Sequence, residues 1–174
     1  MKSLLTAATT VLLLSAGLAS AQSPKATETA TIGGKTITIQ YSAPSVRGRQ
    51  IFGDGGLLSH DPNYPVWRAG ANSATSLHTD ADLDIGGLTV PKGDYTLYVD
   101  VKNPDAWELA INKQTGQWGL TYDKGQDLGR VKMKMTKQAN VEVLKYSLKS
   151  AGGNKGTLEL AWETHAGSVP VTVK

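Results

Sequence analysis

Apolar and polar residues alternate one by one along most of this chain. Between residues 36 and 41, Ile37, Ile39 and Tyr41 alternate with Thr36, Thr38 and Gln40. That period of two places three apolar side chains on one face of a β-strand. The pattern recurs in Leu77, Ala81, Leu83 and Ile85 against His78, Asp80, Asp82 and Asp84, and in Tyr95, Leu97, Val99 and Val101 against Asp94, Thr96, Tyr98 and Asp100. Further stripes are Trp107, Leu109 and Ile111; Val131, Met133 and Met135 among Arg130, Lys132 and Lys134; Leu158, Leu160 and Trp162; and Val169, Val171 and Val173. Within residues 141–148 the apolar phase slips from Val141 and Val143 to Leu144, Tyr146 and Leu148, which predicts a β-bulge near Val143.

Turn chemistry separates these runs: Gly33-Gly34, Gly86-Gly87, Pro91-Lys92-Gly93, Asn103-Pro104-Asp105 and Ala151-Gly152-Gly153-Asn154. The two Ile-Gly-Gly sequences, Ile32 to Gly34 and Ile85 to Gly87, read as hairpin turns. Short half-apolar strands at close spacing, with no helical stripe after Ser23, predict an all-β domain. The expected architecture is an antiparallel β-sandwich, jelly-roll-like, with one solvated face per sheet, and an up-and-down barrel is the alternative.

The N-terminus predicts an address. Met1-Lys2 is a short positive region, residues 4–18 carry no charge, and Ala19-Ser20-Ala21 offers small residues where a signal peptidase reads. Residues 1–21 are therefore expected to be a removed signal peptide, with cleavage before Gln22 and export to the periplasm or medium. The apolar run is shorter than the roughly 20 residues a membrane span needs and meets no stop-transfer pattern. Residues 22–30, rich in Thr and Ala, read as a partly ordered lead-in, and residues 31–174 as one β-sandwich domain. The chain has no Cys, three His and a net charge of +3 over 174 residues. These numbers exclude Cys-based zinc sites and a disulfide scaffold, and the dispersed charge is no nucleic-acid footprint.

Residues 42–76 break the alternation. They hold three of the four Arg (Arg47, Arg49 and Arg68), the only Phe (Phe52) and Trp67. A connection of that length in a sandwich points to a functional loop. Tyr41-Ser42-x-Pro44-x-x-Arg47-Gly48-Arg49-x-Ile51-Phe52-Gly53, followed by Val66-Trp67-Arg68-x-Gly70-Ala71-Asn72-x-Ala74-Thr75, resembles the signature of the bacterial DUF2911 family. Asn112-Lys113 with Gln117-Trp118-Gly119, and Leu160-Ala161-Trp162-Glu163, are similar too. The resemblance implies an exported bacterial β-rich domain and brings no activity or ligand with it. Residues 54–65 stand where family members usually carry a shorter Leu-Val-Pro-Tyr-Gly-like stretch, and Ser73 stands where an acidic residue is common.

Arg presents a planar fork for carboxylate, sulfate or phosphate, and Trp a flat face for a sugar or aromatic ring. Arg47, Arg49, Trp67, Arg68, Asn72 and Thr75 are thus expected to line a pocket for a small anionic or glycan ligand, with Trp118 in its turn facing the same ligand. The competing assignment has Arg47 and Arg68 pinning the loop through carboxylates while Phe52 and Trp67 plug the core. His78, Asp80, Asp82 and Asp84 read as a solvated strand face, and Lys132, Lys134 and Lys137 as an edge guarded against strand pairing. Trp107 and Trp162 fall on apolar stripes and read as core. No catalytic residue, metal ligand or cofactor is assigned. The expected role is a non-catalytic module that binds a ligand or an envelope component. The alternative is a small hydrolase-type enzyme with an Arg-rich pocket and His60 or His78 as general base.

Overall fold

The computed structural model describes residues 22–174, and the signal peptide expected over 1–21 lies outside the described residues. The strands in chain order are β1 (Lys25–Ile32), β2 (Lys35–Ser42), β3 (Val66–Trp67), β4 (Thr75–Thr79), β5 (Leu83–Ile85), β6 (Leu88–Val90), β7 (Gly93–Asp100), β8 (Glu108–Asn112), β9 (Asp127–Lys132), β10 (Lys134–Gly152) and β11 (Lys155–Val173). They form two antiparallel sheets. The larger runs β1-β2-β4-β7-β8-β9, with β3 continuing along the edge of β7, and the smaller runs β10-β11-β5-β6. The chain is an all-β sandwich and not a barrel. The Ile-Gly-Gly turns close the β1–β2 and β5–β6 hairpins, with Gly33, Gly34, Gly86 and Gly87 all at positive φ, a conformation glycine adopts without a Cβ clash.

The core lies between the sheets. Ile37, Ile39, Leu77, Leu97, Val99, Leu109 and Ile111 face Leu83, Ile85, Leu148, Leu158, Leu160, Val169 and Val171, all buried. Trp107 and Trp162 are 0% and 1% exposed, as their stripes predict. The phase slip in β10 is a real irregularity: its pairing with β11 shifts between Lys137 and Val141 and again between Val141 and Lys145. At that interruption Val143 bridges Ser45.

Four expectations are corrected. The lead-in over 22–30 contains most of β1, which pairs with β2 from Lys25↔Ser42 to Ile32↔Lys35; its Thr and Ala side chains form an edge strand with little apolar signal. Residues 77–85 are two strands in different sheets, because the chain crosses the sandwich at residues 80–82. The 131–135 stripe divides likewise between β9 and β10. Finally, the outer face of β7 is not solvated. Thr96 and Tyr98 are buried under residues 113–126, where Gln114 O accepts from Thr96 Oγ1 at 2.7 Å and Thr121 O accepts from Tyr98 OH at 2.8 Å. That cover carries Trp118.

The acidic row is also dispersed by the crossing. Asp82 Oδ1 accepts from Lys92 N and Asp84 Oδ1 from Gly87 N, so these carboxylates cap turns. Among the described residues no group of three or more His, Asp or Glu could hold a metal ion, and no helix is long and apolar enough to cross a membrane. Lys132 and Lys134 do lie on edge strands, β9 and β10.

Candidate functional site

The turn after β2 is built by its own arginines. Arg47 has φ 50° and Gly48 φ 67°. Arg49 folds back so that Nε donates to Val46 O at 3.0 Å and Nη2 to Ser45 O at 2.7 Å, which makes this guanidinium a clasp for the turn. Val46 N and Arg47 N donate to Glu142 O and Oε1, each at 2.8 Å, and tie the turn to the irregular stretch of β10. The chain then drops Phe52 into the core against Trp67, Trp107, Trp162 and His165, with ring centroids 4.9–6.3 Å apart.

Trp67 is 2% exposed, stacks on Trp162 at 5.5 Å and 20°, and donates Nε1–H to Gly70 O at 2.9 Å. It forms part of the core wall. Thr75 is fully buried and donates to Ala69 O at 3.0 Å. Neither residue has a polar group free for a ligand, so any ligand contact Trp67 makes is through its apolar ring. Burial of a large aromatic face against another recovers more free energy than exposure to a ligand would, and a hydroxyl so buried needs its internal acceptor.

The segments singled out along the sequence converge. Ser73 bridges Trp118, Gly119 N donates to Asn72 O at 3.1 Å and Ala74 N to Gln117 O at 3.3 Å. The 113–126 cover is thereby stitched to the 66–75 loop. Ala69 and Asn72 have φ 51° and 60°, bends that bring the loop back under the cover. Arg68 runs between the two segments and donates Nη1–H to Asp61 Oδ2 at 2.7 Å, with side chains 19% and 9% exposed. Asp61, in the Ser59-His60-Asp61 stretch, went unassigned in the sequence. A carboxylate seven residues from its Arg in an irregular loop has no periodicity to reveal it.

The expected site residues occupy two different concavities. Arg47, Arg49 and Asn72 border a polar one of about 270 Å³ beside residues 22–24. Trp67, Arg68 and the Asp61 carboxylate that pairs with it border a mainly apolar cleft of about 290 Å³, whose other walls include Pro44, Leu57, Leu58, Leu120 and Trp162. Leu57 and Leu120 are 38% and 40% exposed and form its rims. Two donors on residues lining this cleft, Arg68 Nε and Trp162 Nε1, are buried without a hydrogen-bond partner. Trp118 is 54% exposed on the segment that supplies Leu120.

Of the three His, His60 lines the Arg68 cleft. Its Nδ1 lies 3.0 Å from Gly56 O, so Nδ1 carries the proton, and Ser59 Oγ donates to the same carbonyl at 2.7 Å. Ser59 Oγ also lies 3.3 Å from His60 Nδ1, but with its proton given to Gly56 O that nitrogen has no lone pair to take the Ser59 hydrogen. His78 sits on β4 with Asp94 and Asp80, away from the arginines of the loop.

No curated protein and no solved structure matches this chain. The likeness noted in its Arg, Trp and Gly motifs extends over the whole sandwich: the model of the family described as "Protein of unknown function (DUF2911)" matches residues 23–171, and the chain belongs to that family.

Proposed function

We propose that this protein is an exported binding module whose ligand is a small acid with an apolar body, held in the cleft between Leu57, Trp67, Arg68, Leu120 and Trp162. The observation that carries this reading is a cation with spare donors set in an apolar wall. Among the described residues the Arg68 guanidinium bonds to Asp61 alone, and its Nε, with Trp162 Nε1 beside the same cleft, is buried and unmatched. An unmatched buried donor costs about 1–3 kcal/mol, which an acceptor brought by a ligand, with a small adjustment of the Arg68 side chain, recovers. The Leu57 and Leu120 rims receive the apolar body. The signal-peptide pattern at the N-terminus supports export.

The test is a ligand-dependent shift in melting temperature with octanoate and phenylacetate, each paired with its neutral alcohol. The acids are expected to raise the transition in a concentration-dependent way and the alcohols to do so far less. The doubly neutral variant Arg68→Met with Asp61→Asn removes the cation without stranding a buried carboxylate, and it is expected to abolish the difference between acid and alcohol. Equal response to acid and alcohol, or an unchanged preference in that variant, would refute the reading.

A further inference from the structure

A second cluster lies at the other side of Phe52, where β10 loses register with β11. His165 is 8% exposed, its ring held between Trp107 (6.0 Å, 21°) and Phe52 (4.9 Å). Its Nδ1 lies 3.0 Å from Glu163 Oε2, with Thr164 Oγ1 at 3.4 Å, and its Nε2 lies 2.9 Å from Lys137 Nζ. Lys137 Nζ is also 3.2 Å from Asp105 Oδ1. A carboxylate has no hydrogen to give and an ammonium has no lone pair to offer. The imidazole is therefore the neutral tautomer with the proton on Nδ1 and the Nε2 lone pair turned to the lysine. Glu163 holds φ 53°, a left-handed conformation unfavourable for a residue with a β-carbon, which here accompanies the placement of its carboxylate beside the imidazole. Lys137, His165, Asp105, Met135 and Thr136 line a cavity of about 150 Å³.

An amine within hydrogen-bond reach of a base, with that base oriented by a carboxylate, is the arrangement of an activated nucleophile. We propose that Lys137 is a nucleophilic amine that accepts small acyl groups from activated esters or thioesters, with His165 as its base and Glu163 as the residue that positions that base. The ammonium first loses one proton to water. Nζ then attacks the acyl carbonyl, forming the N–C bond and pushing the carbonyl pair onto oxygen. His165 Nε2 removes a proton from the cationic nitrogen of this adduct, the oxygen pair returns, and the phenolate or thiolate leaves with the electrons of the broken bond. The products are an amide on Lys137 and the free alcohol or thiol, and His165 returns its proton to solvent. The cavity beside Nζ has room for a short acyl chain.

Lys149 is the internal control, since it is as exposed as Lys137 (71% against 63%) and likewise paired with a carboxylate, Glu159, but has no imidazole beside it among the described residues. The experiment exposes the protein to limiting p-nitrophenyl acetate at neutral pH and measures acetylation at each lysine by peptide mass mapping. Lys137 is expected to react about tenfold faster than Lys149, a modest part of the roughly 10²–10⁴-fold that a fully positioned general base supplies. His165→Gln and Glu163→Gln are each expected to bring the ratio down severalfold. Melting curves check that each variant is folded, and if His165→Gln is not, Glu163→Gln decides. A ratio below about threefold in the unmodified protein, or a ratio that survives in the folded variants, overturns the assignment.

Discussion

A Cβ built on Gly119 would stand 1.9 Å from Cδ of Arg68 and 2.5 Å from Asn72 O. The bare backbone of Gly119 is thus the surface on which the Arg68 side chain lies as it crosses from the 66–75 loop to the cover. This contact, with the Ser73–Trp118 bridge beside it, backs the Arg68 side chain at the cleft edge, where Asp61 is the one partner of its guanidinium among the described residues.

Gly119→Ala should therefore act by collision. The nearest atom is in the middle of a side chain and the next is backbone, so neither can yield easily, and overpacking of this kind costs about 1–3 kcal/mol. Gly116 in the same cover offers the contrast, with φ 77° and nothing within 4 Å of the position a Cβ would take; alanine there is strained only by the left-handed backbone, at about 1–2 kcal/mol. Chemical denaturation should show both variants destabilised. Only Gly119→Ala should also abolish the discrimination between acid and alcohol at the cleft, and retention of that discrimination would show that Arg68 does not depend on Gly119.

The strands were legible because alternation reports which side of a strand faces apolar surroundings. It does not report which sheet the strand belongs to. Leu77, Thr79, Ala81, Leu83 and Ile85 are all buried although the chain changes sheets at Ala81, since both sheets turn their inner faces to one core and the parity survives the crossing. The same holds for Val131 and Met133 on the way from β9 to β10. Thr96 and Tyr98 read as a solvated face because they are polar, and they are buried because acceptors at Gln114 and Thr121, distant in sequence, satisfy them. The site was legible as an uneven distribution of Arg, but its division between two concavities depends on backbone bends at Arg47, Ala69 and Asn72, none of them a glycine that would announce a turn. His165 was hidden for a different reason. On a strand it alternates with Thr164 like any other residue, and its partner Lys137 lies directly opposite on β10, 28 residues away, at the last regular pair before the register shifts.

His78 gives a pH signature on the opposite flank of the large sheet. Its Nδ1 lies 2.7 Å from Asp94 Oδ1 and its Nε2 3.2 Å from Asp80 Oδ1. These contacts, Asp94 first, raise its pKa above the ordinary 6.5. The folded chain then holds the proton more tightly than the unfolded chain. The stabilisation is fully present below about pH 6.5 and is lost as pH rises through the folded value. All three groups are about half exposed or more, so the size is that of a surface pair. The gap in denaturation midpoint between the unmodified protein and His78→Gln is expected to be larger at about pH 5 than at about pH 8, and a gap independent of pH would exclude the linkage.

Alkaline pH should act through the polar network beneath the cover. Tyr122 OH donates to Asp127 Oδ2 at 2.7 Å and accepts from Arg130, which also pairs with Asp127 through Nε at 3.0 Å. Burial first, and then the hydrogen bond to Asp127, push the Tyr122 phenol up to about 12, against the pull of Arg130. Burial likewise raises Tyr95, Tyr98 and Tyr146 above the ordinary 10. A raised folded pKa means that the stabilisation stands below about pH 10, where both states keep the proton, and is lost as pH climbs toward about 12, because only the unfolded chain ionises freely in that window. Tyr122→Phe deletes the donor to Asp127 and is expected to cost about 1 kcal/mol at neutral pH. That cost should shrink between about pH 10 and about pH 12, as the unmodified protein gives up its contribution. Denaturant melts across this window, read beside the near-ultraviolet phenolate absorbance of the folded protein, check both halves. A cost that stays level, or a Tyr122-dependent absorbance step at the ordinary phenol pKa, would show that the phenol is not held by Asp127.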